Sequence, residues 1–122
     1  MIAVKTLQNH LEKGVIQIAP LAFMRGRTLD NAFVILDEAQ NASHSQMKMF
    51  LTRMGKNAKF IITGDPGQID LPRRMISGLK EALLILKNYN EIGIIYLDDK
   101  DVIRHPLVKK VIDAYKTIEN DN

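Results

Sequence analysis

The fold of this chain is decided by one stretch, Phe33-Val34-Ile35-Leu36-Asp37-Glu38-Ala39-Gln40-Asn41. Its four apolar residues include two β-branched ones, which is typical of a strand buried on both faces of a parallel sheet. Two carboxylates follow at the end of the predicted strand, where open α/β sheets bind their ligands. Two interpretations are open. Either Asp37 binds Mg²⁺ and Glu38 orients or deprotonates a water molecule, or both acids are solvated and one caps the next helix.

The composition around this stretch is that of an ordinary globular domain. With 122 residues, 46% hydrophobic and 25% charged, the chain is expected to form one domain spanning residues 1–122. No apolar run approaches the roughly 18 residues of a membrane span, and residues 1–5 lack the pattern of a signal peptide. Cysteine is absent, which excludes disulfides and thiolate chemistry, so we expect a cytoplasmic protein. The net charge of +3 permits nucleic-acid contact without requiring it.

Predicted strands and helices alternate along the chain. Apolar residues at helical spacing predict four helices: residues 4–13, from Ser43 up to Gly55, from Ser77 through Leu86, and from Pro106 onward. Short β-branched runs predict four strands: residues 15–19, 32–36, 58–63 and 92–97. This alternation predicts a three-layer α/β domain with a mainly parallel sheet.

A second polar segment, Gly64-Asp65-Pro66-Gly67-Gln68, follows the strand predicted at residues 58–63. Because neighbouring parallel strands carry their carboxyl ends to the same edge, we expect this segment to face the same crevice as Asp37 and Glu38. A nucleoside-triphosphate hydrolase requires this arrangement, with a metal-linked acid, a water-positioning acid and an uncharged amide, here Gln68. The other interpretation is a Pro-Gly turn whose aspartate hydrogen-bonds its own backbone.

Together these segments resemble the PhoH family of predicted ATPases, and also the Walker B and third motifs of superfamily-one helicases. Four segments match the family in order: residues 23–29, 33–41, 63–70 and 101–108. The resemblance covers about residues 15–115. It implies a P-loop NTPase core of the RecA and helicase type, with ATP and Mg²⁺ as ligands and a link to RNA.

The resemblance also implies roles for single residues. Asp37 would be the Walker B aspartate on Mg²⁺, and Glu38 would be the general base. Gln68 would sense the γ-phosphate, with Asp65 and Gly64 beside it at the nucleotide.

Arginines would complete the site. Arg104 would neutralise transition-state charge, in its own site or in a neighbouring subunit's, unless it is a helix-flanking residue paired with Asp101. Four further arginines would contact phosphates of nucleotide or RNA, or would lie in solvated basic loops: Arg25, Arg27, Arg73 and Arg74.

One part of the family pattern is missing from these 122 residues. The P-loop, Gly-x-x-x-x-Gly-Lys-Ser/Thr, holds phosphates with backbone amides and a lysine, and no such sequence occurs here. In the family the P-loop strand and helix come first, so the chain is expected to be a C-terminal portion, truncated at its N-terminus. The missing strand would lie between the strands predicted at residues 58–63 and 92–97, which leaves the core incomplete. We therefore expect marginal stability and little ATP binding by this chain alone.

Two functions remain open at this point. The first is an ATP-binding, ATP-hydrolysing domain of the PhoH family linked to RNA metabolism, which would need a P-loop-bearing segment or a further copy of the chain. The alternative is a non-catalytic α/β module that contacts single-stranded RNA or a protein partner.

Overall fold

The computed structural model of the chain describes residues 1–72 and 74–120, which belong to two compact units, Met1–Ile92 and Gly93–Asn122. The first unit contains α1 (Val4–Glu12), β1 (Phe33–Leu36), α2 (His44–Leu51), β2 (Lys59–Ile62) and α3 (Gly78–Leu86), with 3-10 turns at Leu21–Met24 and Ala39–Asn41. The second contains a 3-10 turn at Asp99–Asp101 and α4 (Pro106–Asn120). Within those two described ranges, no helix has the length and apolar character needed to cross a membrane.

The first unit is built on a strand–helix–strand arrangement. β1 and β2 pair in parallel, with Phe33 opposite Lys59 and Leu36 opposite Ile62, and α2 forms the connection between them. This confirms the α/β class and the parallel pairing of the two strands that precede the predicted site. The sheet contains two strands in the described part of the chain.

Two of the predicted helix starts, at Ser43 and Ser77, are confirmed with their capping contacts, and a third is confirmed at Pro106. Ser43 Oγ accepts from the Gln46 backbone N–H at 3.2 Å, and Gln46 Oε1 accepts from the Ser43 N–H at 3.0 Å, which completes a capping box. Ser77 Oγ accepts from the Lys80 N–H at 3.4 Å at the start of α3. α4 begins at Pro106, where the missing proline N–H costs no helical hydrogen bond.

The core lies on one side of the sheet, between the strands and helices α2 and α3. Its buried apolar residues are Ala39, Ala42, Met47, Phe50 and Leu79. The ring of Phe50, 2% exposed, packs against Phe60 of β2 with centroids 4.9 Å apart. On the other side of the sheet, Phe33 and Ile35 are 79% and 66% exposed. The prediction that β1 is buried on both faces is therefore wrong, because α2 and α3 pack against one face.

Two predicted strands and one helix end are also wrong. Residues 15–19 and 92–97 form turns and irregular backbone, because neither segment has a strand partner in the described part of the chain. α2 ends at Leu51 instead of continuing to Met54, which makes a parallel bridge with Leu29. Thr52 is the residue that caps the helix: its backbone N–H donates to the Lys48 carbonyl at 3.1 Å, and its Oγ1 donates to the same carbonyl at 2.9 Å.

Candidate functional site

The two polar loops predicted to meet do so at the carboxyl edge of the sheet. Thr63, directly after β2, donates through Oγ1 to Asp37 Oδ1 at 2.6 Å, and its carbonyl accepts from the Ala39 N–H at 2.9 Å. Further along, the Asp70 N–H donates to Asn41 Oδ1 at 2.8 Å. We call residues 37–41 the acidic loop and residues 63–70 the facing loop. Their contacts confirm the expectation that both lie at one edge.

Asp37 is exposed and is oriented by two hydrogen bonds to a single oxygen. Its Oδ1 accepts from Thr63 Oγ1 and, at 3.1 Å, from the Glu38 N–H. Because both bonds use Oδ1, the second oxygen, Oδ2, is the one that a cation would approach. Thr63 was not assigned a role from the sequence, because its place opposite Asp37 follows from the register of β1 on β2, which the folded structure provides.

Glu38 has a backbone conformation that is rare for its residue type. Its φ is 54° and its ψ 46°, in the left-handed region, which costs a residue with a Cβ about 1–2 kcal/mol. The flanking contacts hold it there, because Ala39 N–H is bound to Thr63 and the Glu38 N–H to Asp37. Its exposed carboxylate accepts from Gln40 Nε2 at 2.7 Å through Oε2. Backbone strain of this kind is concentrated at functional sites.

Gln40 connects the acidic loop to the facing loop and is 4% exposed. Its Nε2 donates to Glu38, its Oε1 accepts from the Asp65 N–H at 3.2 Å, and its carbonyl accepts from Ser77 Oγ at 2.9 Å. Sequence reasoning gave this residue no role. The available signal was its position between Ala39 and Ala42, two small apolar residues that allow the chain to approach the core.

Asp65 and Gln68 shape the facing loop. Asp65 Oδ1 accepts from the Gly67 N–H at 2.9 Å, and the Asp65 carbonyl accepts from the Gln68 N–H at 3.0 Å. The aspartate turn that the sequence allowed as the second interpretation is therefore present. The Gln68 side chain is exposed, and its predicted role at the γ-phosphate stays a prediction.

Gly64 lets the facing loop approach the acidic loop closely. A Cβ at this position would lie 2.7 Å from Leu79 Cδ2, 3.0 Å from Gln40 Oε1 and 3.1 Å from the Gln40 backbone nitrogen. A side chain at this position would crowd Leu79 and Gln40, so packing favours glycine here.

Helices α2 and α3 begin at the same edge. Ser43 and Ser77 form an antiparallel bridge, and the Gly78 N–H donates to the Ala42 carbonyl at 2.7 Å. His44 Nδ1 and Glu81 Oε1 pair across the two helices. These contacts join the starts of α2 and α3, next to Gln40 and the acidic loop.

Within the first unit, no hydrogen bond or ion pair recorded for the described residues joins Arg25, Arg27 or Arg74 to the acidic loop. Arg25 and Arg27 are exposed, and Leu29, two residues further on, is bound to Arg53 at the amino edge of the sheet, where its N–H donates to the Arg53 carbonyl at 2.8 Å. Arg73 lies outside the described residues. The roles assigned to these arginines stay predictions.

Arg104 belongs to the second unit. There it lines a cavity of about 300 Å³ together with Lys109 and Lys116 of α4. The carboxylate of Asp101, its predicted alternative partner, accepts instead from the Asp98 N–H at 2.7 Å. The role of Arg104 in transition-state stabilisation also stays a prediction.

The donor set around Asp37 is compatible with a hydrated divalent cation. Among residues 1–72 and 74–120, no group of three His, Asp or Glu side chains is arranged to hold a metal. A fully protein-ligated ion is therefore not supported by these residues. Mg²⁺, which is commonly held by one or two carboxylates, several waters and substrate phosphates, fits the single oriented carboxylate of Asp37.

Comparison with known proteins gives consistent matches. The family model described as PhoH-like protein matches residues 1–116. A PhoH-like protein of Bacillus subtilis is 62% identical over 105 residues, which are 86% of this chain and 33% of that protein. A PhoH-like protein of Synechocystis is 54% identical over 110 residues, 90% of this chain and 34% of that protein. Protein PhoH of Escherichia coli K12 is 49% identical over 104 residues, 85% of this chain and 29% of that protein.

The chain thus spans about a third of the length of these relatives. The family match nonetheless covers nearly all of the chain, including both loops at the carboxyl edge and the segment that contains Arg104. The chain therefore belongs to the PhoH family.

Proposed function

We propose that this chain supplies the metal- and water-handling half of an ATP hydrolysis site. The observation that carries the proposal is Glu38, held in a left-handed conformation beside an oriented Asp37 at the carboxyl edge of a parallel sheet. That edge is where α/β folds bind ligands, and family membership supports a P-loop NTPase-like core. The finer arrangement, a three-layer RecA-like sheet completed by strands beyond the two in the described part of the chain, is part of the proposal.

Asp37 would hold Mg²⁺ in this site. Its Oδ1 is occupied by the Thr63 hydroxyl and the Glu38 N–H, which fix the plane of the carboxylate and leave Oδ2 for the ion or one of its waters. When bound with ATP, the ion would neutralise negative charge on the terminal phosphates.

Glu38 would act as the general base. One of its oxygens, Oε2, accepts the hydrogen bond from Gln40, which leaves Oε1 to accept a proton from a water molecule. Gln68, on the facing loop, would hydrogen-bond the γ-phosphate or that water, and Asp65 and Gly64 would shape the loop around it.

The phosphates themselves would be held by a P-loop that these 122 residues do not contain. The site would therefore act only with a P-loop segment, carried elsewhere in a longer chain or on a separate one, and Arg104 would serve the same site or a neighbouring subunit's. For the chain alone, we expect calorimetric titration with Mg²⁺ and ATP to detect no micromolar binding. Micromolar, Mg²⁺-dependent binding would contradict this expectation.

The hydrolytic role is tested after a Gly-x-x-x-x-Gly-Lys-Ser/Thr strand–helix segment from a relative has been joined ahead of residue 1. If ATP hydrolysis appears, Glu38→Gln should lower its rate about 100- to 10,000-fold while ATP binding is retained. The matched control is Glu91→Gln, an exposed acid in the turn after α3. Equal loss of binding and hydrolysis in Glu38→Gln would remove Glu38 from the role of base.

Contact with single-stranded RNA stays a prediction about the basic loops. Arg25, Arg27 and Arg74 are exposed, and the net charge is +3. Binding through them should weaken as salt concentration rises, because each neutralised phosphate releases counterions. A fluorescence titration of labelled single-stranded RNA at two salt concentrations measures this slope, and an affinity independent of salt would contradict it.

A further inference from the structure

We propose that Gln40 is a positioning residue that transmits the position of the facing loop to the carboxylate of Glu38. The inference rests on the proposed function, because the orientation of Glu38 matters for catalysis only if this residue acts on a water molecule at the phosphate. The coupling itself is a property of the chain without nucleotide.

The carboxamide of Gln40 is occupied at both ends by groups from the two loops. Its Nε2 lies 2.7 Å from Glu38 Oε2, and its Oε1 lies 3.2 Å from the Asp65 nitrogen. The partners fix its orientation, since an ionised carboxylate only accepts and a backbone N–H only donates. Because the carboxamide is planar and rigid, a displacement of the Asp65 backbone moves the nitrogen that binds Glu38.

Hydrogen bonds hold the backbone at Gln40, so the side chain can move while the backbone stays in place. Gln40 is 4% exposed, and its carbonyl accepts from Ser77 Oγ, which itself is buried at the start of α3. Next to Gln40, the Ala39 N–H is bound to the Thr63 carbonyl. The freedom that remains is therefore in the carboxamide and the facing loop.

The contact requires a donor and an acceptor on one planar group, and the carboxamides of asparagine and glutamine provide both. Asparagine is one methylene shorter and would not span Glu38 and Asp65 from the same backbone position. Glutamate keeps an acceptor for the Asp65 N–H but cannot donate to Glu38. Methionine has a similar length and offers neither a donor nor a strong acceptor.

Asn41 provides a matched comparison in the same loop. Its Oδ1 accepts from the Asp70 N–H at 2.8 Å, so it also joins the two loops, but it makes no hydrogen bond with Glu38 in the described structure. Replacing Asn41 removes a link between the loops and leaves both hydrogen bonds of the Gln40 carboxamide in place.

Coupling of this kind is reciprocal, so a change at Glu38 should alter the exchange of the Asp65 amide, although no hydrogen bond joins these two residues in the described structure. The test measures the exchange rate of the Asp65 amide proton by NMR in the full chain without nucleotide. Glu38→Met should accelerate this exchange about five-fold. The same substitution should have no further effect in a Gln40→Met background.

Two other variants distinguish coupling through Gln40 from a general increase of amide exchange in the two loops. Asn41→Ala should accelerate exchange at Asp70 and leave the effect of Glu38→Met on Asp65 unchanged. If Gln40→Met fails to fold, Gln40→Glu replaces it; this variant keeps an acceptor for the Asp65 N–H but sets a second carboxylate beside Glu38. Glu38→Met should then remove the repulsion between the two carboxylates and should no longer accelerate exchange at Asp65. An Asp65 amide that ignores Glu38→Met, or responds equally without Gln40, would overturn the inference. Nucleotide plays no part in this measurement, so its outcome is separate from that of the ATP titration.

Discussion

Both edges of the β1–β2 sheet contain residues with a left-handed backbone conformation, but the residue types differ. At the amino edge, Asn31 and Asn57 have φ values of 51° and 56°, and at the carboxyl edge Glu38 has 54°. Asparagine tolerates the left-handed region because its short side chain can hydrogen-bond locally, whereas glutamate has no such advantage. The amino edge thus uses residues suited to its conformation, and the carboxyl edge retains a residue that is not.

The hydrogen bonds differ in the same sense. At the amino edge, Asn57 Nδ2 donates to Asn31 Oδ1 at 3.1 Å, and Asp30 Oδ1 accepts from the Lys56 N–H at 2.6 Å, so the polar groups bind one another. At the carboxyl edge, two successive acids, Asp37 and Glu38, are each hydrogen-bonded through one oxygen. The amino edge has one such acid, Asp30, where the carboxyl edge has two.

The largest effect should come from a residue that supports both edges. Phe50 lies on α2, the helix that begins at the carboxyl edge, and it is buried against Phe60. Phe50→Ala should lower the free energy of unfolding by about 3–5 kcal/mol, because it leaves a cavity in a small core. Urea denaturation followed by circular dichroism measures this loss. The control is Ile35→Ala on the exposed side of the sheet, which should change stability by about 0.5 kcal/mol or less.

Intermediate effects should be confined to one edge each. A Cβ at Gly55 would lie 2.8 Å from the Leu29 carbonyl oxygen and would overlap Asp30 Oδ1, while a Cβ at Gly64 would crowd Leu79 and Gln40. Gly55→Ala and Gly64→Ala should each cost about 1–3 kcal/mol through overpacking. Gly93→Ala, which meets no atom within 4 Å, is the control.

Hydrogen exchange shows where each glycine substitution acts. Gly55→Ala should accelerate exchange at the Asn31 amide, which donates to Lys56 at the amino edge. Gly64→Ala should do so at the Ala39 amide, which donates to Thr63 at the carboxyl edge. If either variant accelerated exchange equally at both amides, the two edges would not behave as separate regions.

The features predicted from the sequence are those that depend on neighbours along the chain. The capping box at Ser43 and the cap at Ser77 follow from residues three positions apart, and the paired carboxyl ends follow from two apolar runs of similar pattern. The strand predicted at residues 92–97 failed because strand formation depends on a partner that the segment itself does not specify.

The organisation of the candidate site could not be predicted for a related reason. The bond from Asp65 to Gln40 spans 25 positions, and the left-handed backbone of Glu38 is held by Thr63 from the facing loop. Neither contact leaves a periodic pattern or a turn signature in the sequence. Predicting them requires the register of β1 on β2, which only the folded pair provides.

The smallest expected effect tests the strain at Glu38 directly. Glu38→Gly and Glu38→Ala both remove the carboxylate and its bond to Gln40, so the difference between them isolates the backbone. In Glu38→Gly, glycine avoids the cost of the left-handed conformation, about 1–2 kcal/mol. It also raises the conformational entropy of the unfolded chain, which lowers stability by about 0.5–1 kcal/mol. Glu38→Gly should therefore be the more stable variant by about 0.5–1 kcal/mol in urea denaturation.

The same pair of substitutions at Glu91, where φ is not positive, should give the opposite sign, because glycine there brings only its entropic cost. A reversal between the two positions would assign the difference to the left-handed conformation of Glu38. The same sign at both positions would show that Glu38 is not strained, and would remove the feature that distinguishes the carboxyl edge from the amino edge.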